Sequence, residues 1–266
     1  MIRDITLGQY YPSESIIHRL DPRIKIIATI MFIAELFIVD DFIGFAICAS
    51  ALAVIVGISK VPLAFIMRGL KPILLIIIFT FCLNIFMVDG KVIWQWGFLK
   101  ITVEGLYTAA FMGLRLILLI IGSSLLTLTT KPISLTDAIE RLLSPLSHVG
   151  VPTHEIAMMM SIALRFIPTL LEETDKIMKA QQARGADFES GNILSRAKSL
   201  IPILVPLFVS AFRIAQDLAM AMEARCYRGG KGRTRMHEMQ FNGRDAAAMV
   251  GLAAFLAVII LERIFL

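Results

Sequence analysis

Five runs of apolar side chains divide the sequence, and short polar segments separate them. The third run, residues 72–88, is the most continuous and reads PILLIIIFTFCLNIFMV. About 20 apolar residues span a bilayer as a helix, and roughly 17 are a practical minimum. The pattern therefore predicts five transmembrane helices, of which the first and last are the shortest. They lie at 26–39, 42–59, 72–88, 105–128 and 246–261.

A different pattern fills the segment between the fourth and fifth runs. Its apolar residues recur at spacings of three and four, with charged residues between them, as on an amphipathic helix. The spacing predicts three helices, near 134–146, 153–184 and 192–225. We expect Pro168, Pro202 and Pro206 to bend or interrupt the two long ones. The stretch IPILVPLFV at 201–209 is apolar all round, so we expect it to be buried on every side.

Parts of the two long helices could instead cross the membrane, which would give seven spans. The stretches concerned are 156–171 and 200–222. Arg165 and Arg213 oppose this alternative, because a charge at the middle of a bilayer is costly. Two such spans would also place the ends of the two helices on opposite sides of the membrane. We therefore predict amphipathic helices that lie at or under the inner membrane face.

Composition and loop charge support this arrangement. The 266-residue chain is 57% hydrophobic, whereas soluble domains have about 45–50% apolar residues. The N-terminus lacks the apolar segment of a cleaved signal peptide. If it is cytoplasmic, all but three of the 26 basic residues lie on the cytoplasmic side or within a span, the exceptions being Lys91, Lys100 and Arg263. The positive-inside rule then predicts a cytoplasmic N-terminus and an external C-terminus.

These patterns together predict an all-α integral membrane protein with about five transmembrane helices and a cytoplasmic region of three amphipathic helices, two of them long. Residues 1–130 would form the N-terminal segment and transmembrane helices 1–4. Residues 131–245 would form the cytoplasmic helices, and 246–266 the C-terminal transmembrane helix.

The sequence offers no catalytic, nucleotide or metal motif. A phosphate-binding G-x-x-x-x-G-K-[ST] loop does not occur, so we expect no ATP binding by this chain. The four histidines and three cysteines have no metal-ligand spacing. We therefore expect neither a bound cofactor nor a metal site. Two ionisable residues, Glu35 and Arg115, lie in predicted spans, where such residues usually pair with each other.

A short triplet closes each of the two long amphipathic helices. The first is Ala183-Arg184-Gly185, and the second is Ala224-Arg225-Cys226. An arginine at a helix C-terminus complements the helix dipole, which is one explanation. Arginine also holds a carboxylate with two parallel hydrogen bonds, which suits a binding site for a partner.

Near the N-terminus, Asp21-Pro22-Arg23 is typical of a helix start. Asp is a good N-cap, and Pro is favoured at the first helical position. We therefore expect a local structural role for this motif.

The sequence resembles the transmembrane T component of energy-coupling-factor (ECF) transporters, which are micronutrient importers driven by ABC-type ATPases. The resemblance covers essentially the whole chain. It rests on HRLDPRIK at 18–25, on both triplets with their flanks ARGADFESG and EARCYRGGKGRT, and on the final apolar run after a basic stretch.

The resemblance implies a coupling subunit with several partners. Arg184 would engage one ATPase subunit and Arg225 the other, each pairing with acidic groups. The small neighbours in each triplet would let the helix end enter a narrow groove. ATP and Mg would be bound by the ATPases. A separate substrate-binding S component would contact a methionine-rich surface, although each methionine could equally be core packing. The candidates are Met158, Met159, Met160, Met178, Met220 and Met222.

Three alternatives remain beside a shared vitamin-uptake module. One is a dedicated cobalt, nickel or biotin system of the same family. Another is an integral-membrane enzyme, which would need converging polar groups where the spans offer only Glu35 and Arg115. The last is a conventional ABC permease, although the spans lack a polar cluster for a substrate path.

Overall fold

A computed structural model describes residues 10–96, 99–186, 188, 192, 198–229 and 241–265. Regular structure in these residues is almost entirely helical. The α-helices are α1 (Pro22–Ile38), α2 (Phe42–Ser59), α3 (Leu63–Leu70), α4 (Leu74–Met87), α5 (Val103–Thr129), α6 (Pro132–Leu143), α7 (Thr153–Ala183), α8 (Ile201–Ala224) and α9 (Gly243–Phe265). A 3-10 helix, Ser144–Val149, follows α6, and a hairpin of β1 (Val92–Trp96) and β2 (Leu99–Thr102) precedes α5.

The helices confirm an all-α membrane protein. Five of them, α2, α5, α7, α8 and α9, are long and apolar enough to cross a bilayer. The pair α3 and α4, bent by 58°, would form a sixth span if taken together. Helix α1 has 17 residues, about the practical minimum for a span. Since α7 and α8 meet the same length and composition requirements, their position at the inner membrane face stays a prediction.

Helix α3 was not expected, because the sequence between the second and third runs reads as a basic loop. It forms because its apolar residues fall on one side of a helix. Ile66 and Leu70 are buried, while Arg68 and Lys71 stay exposed. The hairpin is the other unexpected element. Its strands are antiparallel, and Thr102 ends it by accepting a hydrogen bond from Gly105 N at 3.0 Å, which caps α5.

Contacts divide the described chain into two compact units, of which one lies within Gly8–Ala138 and His237–Leu266. Its core is formed by α1, α2, α5 and α9. The buried side chains at the centre of this core are Leu36, Val39, Phe45, Cys48, Leu52, Phe111, Leu118 and Ile259. The C-terminal helix therefore packs with helices from the beginning of the chain.

The expected pairing of Glu35 with Arg115 is wrong. Arg115 Nη2 donates to the Val39 carbonyl at 2.8 Å and lies 3.5 Å from Asp40 Oδ1. Neither carboxylate oxygen of the fully buried Glu35 has a hydrogen-bond partner among the described residues. The arginine reaches the end of α1 instead, where its charge lies closer to water, as long basic side chains in membranes commonly do.

The other unit lies within Ile139–Met236 and is dominated by α7 and α8. Helix α7 has almost the predicted bounds. Helix α8 begins at Ile201 rather than at 192, because Pro202 occupies its first turn, where proline is favoured. Residues 193–197 of the predicted helix lie outside the described part. Pro168 and Pro206 lie inside continuous helices and interrupt neither of them.

The expected burial of 201–209 on all sides is wrong for the single chain. Ile203 is buried, but Val205 and Phe208 are 58% and 64% exposed. The reason is geometric: α8 packs against α7 along one side, and the remaining sides are not covered by described residues. An apolar surface of this kind is typical of a site for lipid or for a partner protein.

Candidate functional site

Helices α7 and α8 form an antiparallel pair. Contacts follow the pair from one end to the other: Gln181 Nε2 donates to the Pro202 carbonyl at 3.3 Å, Ser210 Oγ to the Glu173 carboxylate at 3.3 Å, and Tyr227 Oη to Met158 Sδ at 3.2 Å. Residue numbers fall along α7 as they rise along α8. Arg184 and Arg225 therefore lie at opposite ends of the pair. Helix α8 has 24 residues, so it is ~36 Å long at 1.5 Å per residue.

The α7 end, Ala183-Arg184-Gly185, is a left-handed helix termination. Arg184 is the C-cap, and Gly185 follows with φ of 88°. Gly185 N donates to the Gln182 carbonyl, and Ala186 N donates to the Gln181 carbonyl, both at 2.9 Å. These two hydrogen bonds define a Schellman motif, in which a residue with positive φ satisfies the last carbonyls of the helix. Gly185 therefore ends α7.

The α8 end, Ala224-Arg225-Cys226, repeats this arrangement with a different residue in the left-handed position. Cys226 has φ of 55°. Cys226 N donates to the Glu223 carbonyl at 2.8 Å, and Tyr227 N donates to the Met222 carbonyl at 3.0 Å. Each triplet therefore consists of the last helical residue, the capping arginine and a left-handed residue. Aligning the two triplets would have predicted the conformation of Cys226, which the sequence analysis missed.

The two arginine side chains are available to a partner. All six residues of the α7 end and the α8 end are exposed. Among the residues that the structure describes, neither Arg184 nor Arg225 has a carboxylate within ion-pair distance. Because the Schellman hydrogen bonds fix the backbone on either side, each guanidinium projects from an ordered position.

The six candidate methionines divide into two groups. Met159, Met160 and Met220 are exposed, at 60%, 40% and 60%. The half-buried ones are Met158, Met178 and Met222. All six therefore lie on the α7–α8 pair, but only three of them are exposed for contact.

The N-terminal motif has the expected local geometry. Asp21 is the N-cap of α1 and accepts a hydrogen bond from Arg23 N at 2.9 Å, with Pro22 in the first turn. The Arg23 guanidinium also donates to both Asp21 oxygens, at 2.6 Å for its shortest contact. Burial by itself would raise the pKa of Asp21. The hydrogen bonds and charge of Arg23 outweigh that effect and hold the pKa below its usual value.

Asp245 joins this motif, although the sequence analysis did not single it out. Its Oδ1 accepts from Asp21 N, and its Oδ2 accepts from Asn242 N, both at 2.9 Å. Asp21, Arg23 and Asp245 thus form a polar junction between the starts of α1 and α9. An acidic residue in the first turn of the last helix could have been noticed in the sequence, because acids are favoured there. Its contact with a residue 224 positions away could not be predicted from the sequence.

Fold and site together define a multi-spanning membrane protein that presents two matched, arginine-capped helix ends. The family model described as CbiQ, cobalt transport protein, matches residues 13–237. The chain is 58% identical over 262 residues to the energy-coupling factor transporter transmembrane protein EcfT of Thermosediminibacter oceani, covering 98% of this chain and 99% of that protein. It is 57% identical over 267 residues to EcfT of Clostridium kluyveri, with 100% and 99% covered.

Identity to EcfT of Bacillus subtilis is 47% over 264 residues, with 99% of this chain and 100% of the relative covered. The chain therefore belongs to the family of transmembrane T components of ECF transporters. It is a membrane-embedded transporter component, which agrees with its apolar helices.

Proposed function

We propose that this chain is the coupling subunit of an ECF-type ABC importer. It transmits the ATP-driven movement of two ATPase subunits to a substrate-binding S component, which carries vitamins or other micronutrients into the cell. The observation that carries this proposal is the pair of exposed arginines on matched caps at opposite ends of α7 and α8. Two equivalent ends about 36 Å apart fit two equivalent acidic sites on two ATPases.

Each helix end would bind in a groove of one ATPase. Arg184 would pair with carboxylates of one subunit and Arg225 with carboxylates of the other. Arginine suits this task because its planar guanidinium forms two parallel hydrogen bonds and stays charged. The small residues Ala183, Gly185 and Ala224 leave the approach to the arginines open, and Cys226 adds only a short side chain.

Movement of the ATPases would then shift α7 and α8 as packed levers. Their outer surface carries exposed apolar side chains, among them Met159, Met220 and Phe208. We propose that the S component sits on this surface, where flexible methionines can adapt to partners of different shape. The half-buried methionines beneath would allow the surface to repack as the helices move.

In this account the chain is not an enzyme and binds no cofactor. ATP and Mg bind to the two ATPases, and hydrolysis takes place there. The N-terminus and the ends of α7 and α8 face the cytoplasm, where ATPases and ATP are found, and the C-terminus faces outward. The transporter names of the relatives favour this account over an integral-membrane enzyme.

A dedicated metal-ion importer is the second candidate, because the matching family model carries the description of cobalt transport. Full-length identity to proteins named EcfT favours the general module. Purification of the tagged chain from detergent-solubilised membranes separates the two. Several different S components point to a shared module, and a single one points to a dedicated system.

Charge reversal at the helix ends tests the coupling role. Uptake of radiolabelled vitamin by cells should be abolished in Arg184→Glu and in Arg225→Glu, while both variants insert into the membrane normally. Arg165→Glu and Arg213→Glu are matched controls, since they reverse an exposed arginine on the same two helices away from the ends. Normal uptake by both end variants would contradict the proposal.

A further inference from the structure

A cavity of about 300 Å³ lies where α1 begins and α5 ends. The part of its wall that the structure describes contains the cationic side chains of Arg19, Lys25 and Lys131, and several hydroxyl groups. Among the described residues of the wall, the only carboxylate is that of Glu14, which already pairs with Arg19 at 3.1 Å. The cavity is therefore rich in positive charge and in hydrogen-bond donors, and none of the contacts proposed for coupling uses it.

A buried hydroxyl in the wall lacks a partner. Thr130 is 5% exposed, lines the cavity, and has no hydrogen-bond partner for its Oγ1 among the described residues. A buried hydroxyl without a partner is destabilising, and native structures contain few of them. Thr130 borders the cavity, so rotation of its side chain about the Cα–Cβ bond would bring Oγ1 to a ligand with an acceptor oxygen.

The neighbouring groups can bind the same oxygen-rich anion. Lys131 lies 5.8 Å from the centre of the Tyr10 ring and has no carboxylate within ion-pair distance in the described chain. Lys25 Nζ donates to the carbonyls of His18 and Thr129 at 3.2 and 3.0 Å, which leaves a third donor. Helix α6 begins beside the cavity at Pro132, and the positive end of its dipole also favours an anion.

We propose that this cavity binds a phosphate group. A phosphate could come from the headgroup of an anionic phospholipid or from free phosphate. The position favours the lipid, because the cavity lies at the end of α5, a helix long and apolar enough to span the bilayer. Ile16 and Ile133, next in sequence to cavity residues or close to them, are 62% and 57% exposed, so apolar surface is available beside it.

Thermal unfolding of the full-length chain in a neutral detergent tests the proposal. Phosphatidylglycerol, phosphatidylcholine and sodium phosphate are titrated separately, and the unfolding midpoint is followed. We expect saturating phosphatidylglycerol to raise the midpoint by about 5 °C. A response to phosphatidylglycerol but not to sodium phosphate identifies the lipid as the source. A response to sodium phosphate identifies free phosphate and supports the same site.

Two variants connect the response to the cavity. Lys131→Gln should weaken binding about tenfold, because one charge-assisted contact is lost. Thr130→Val should raise the midpoint by about 2 °C without ligand, since it removes the unpartnered hydroxyl, and should reduce the response to ligand. The control is Lys71→Gln, which changes a basic residue outside the cavity.

Either of two results would overturn the proposal. One is no response to phosphatidylglycerol and none to phosphate. The other is a response that has the same midpoint and affinity in Lys131→Gln and Thr130→Val as in the unaltered chain. Both variants are compared with the unaltered chain in the same titration. If one of them fails to fold, the other still tests the proposal.

Discussion

Two regions of this molecule use the same residue type in opposite ways. In the polar junction of Asp21, Arg23 and Asp245, the arginine is held by a carboxylate of its own chain at 2.6 Å. At the ends of α7 and α8, Arg184 and Arg225 are exposed and have no carboxylate partner among the described residues. The backbone at both ends is nevertheless fixed by Schellman hydrogen bonds.

Arg23 therefore has a structural role, whereas Arg184 and Arg225 are placed to bind a partner. A charge satisfied within the chain stabilises the fold, and its loss should appear in stability. A charge presented on an ordered backbone without a partner contributes little to the fold, and its loss should appear in assembly and transport.

The largest effect on stability is expected at Asp245. Asp245→Ala removes the acceptor of the buried Asp21 N–H and of Asn242 N. We expect a loss of about 2–3 kcal/mol in the free energy of unfolding, measured by thermal or chemical unfolding in detergent. Asp217→Ala, at an exposed acid of α8, should change it by less than about 0.5 kcal/mol. Equal effects of the two substitutions would show that the junction is not structural.

The contribution of the Asp21–Arg23 pair to stability should depend on pH. The pKa of Asp21 is lowered in the folded chain, so its contribution to stability is present above its unfolded pKa of about 4 and is lost as pH falls through the lower folded value. Arg23→Ala should cost about 1–2 kcal/mol at pH 7. The difference in the free energy of unfolding between this variant and the unaltered chain should disappear as the solution is acidified below about pH 4. Arg165→Ala, at an exposed arginine of α7, is the control. A difference in the free energy of unfolding that does not depend on pH would refute the role of the Asp21 charge.

A smaller effect is expected from exchanging the left-handed residues of the two helix ends. A side chain in this conformation costs about 1–2 kcal/mol, and glycine avoids that cost. Gly185→Cys should therefore destabilise by about 1 kcal/mol. Cys226→Gly should be neutral or stabilising by up to about 1 kcal/mol, because glycine also gains freedom in the unfolded chain. Unfolding midpoints of the two variants that shift in the same direction by the same amount would contradict the assignment.

The smallest effect on stability is expected at the arginines themselves. Arg184→Gln and Arg225→Gln should change the free energy of unfolding by less than about 0.5 kcal/mol, because both side chains are exposed. Arg213→Gln provides the control in the same unfolding experiment. A loss above about 2 kcal/mol would place the arginines with Arg23 as structural residues.

Much of the fold could be predicted because its signals are local. Continuous apolar runs predicted α2, α4, α5 and α9. The recurrence of apolar residues at spacings of three and four predicted α7. What could not be predicted depends on contacts between distant residues. The hydrogen bond from Asp21 to Asp245 joins residues near the two ends of the chain. Arg115 lies beside Asp40 rather than Glu35, because its charge is closer to water there.

The residues assigned to the candidate site stay a prediction, and the sequence did not predict how they are arranged in space. Both triplets were recognised, yet their spacing in the structure follows from the antiparallel packing of α7 and α8, which no single helix pattern contains. The left-handed conformation of Cys226 was also missed, since cysteine carries no local preference for it.

Retention of the ATPases by the doubly reversed chain tests the central claim most directly. The chain carrying Arg184→Glu and Arg225→Glu would be purified by a tag from solubilised membranes, and the co-purifying ATPases quantified against the unaltered chain and against Arg165→Glu with Arg213→Glu. We predict that the end variant retains less than about a tenth of the ATPases, because unlike-charge contacts become repulsive, while its unfolding midpoint is unchanged. Full retention of both ATPases by that variant would contradict the account.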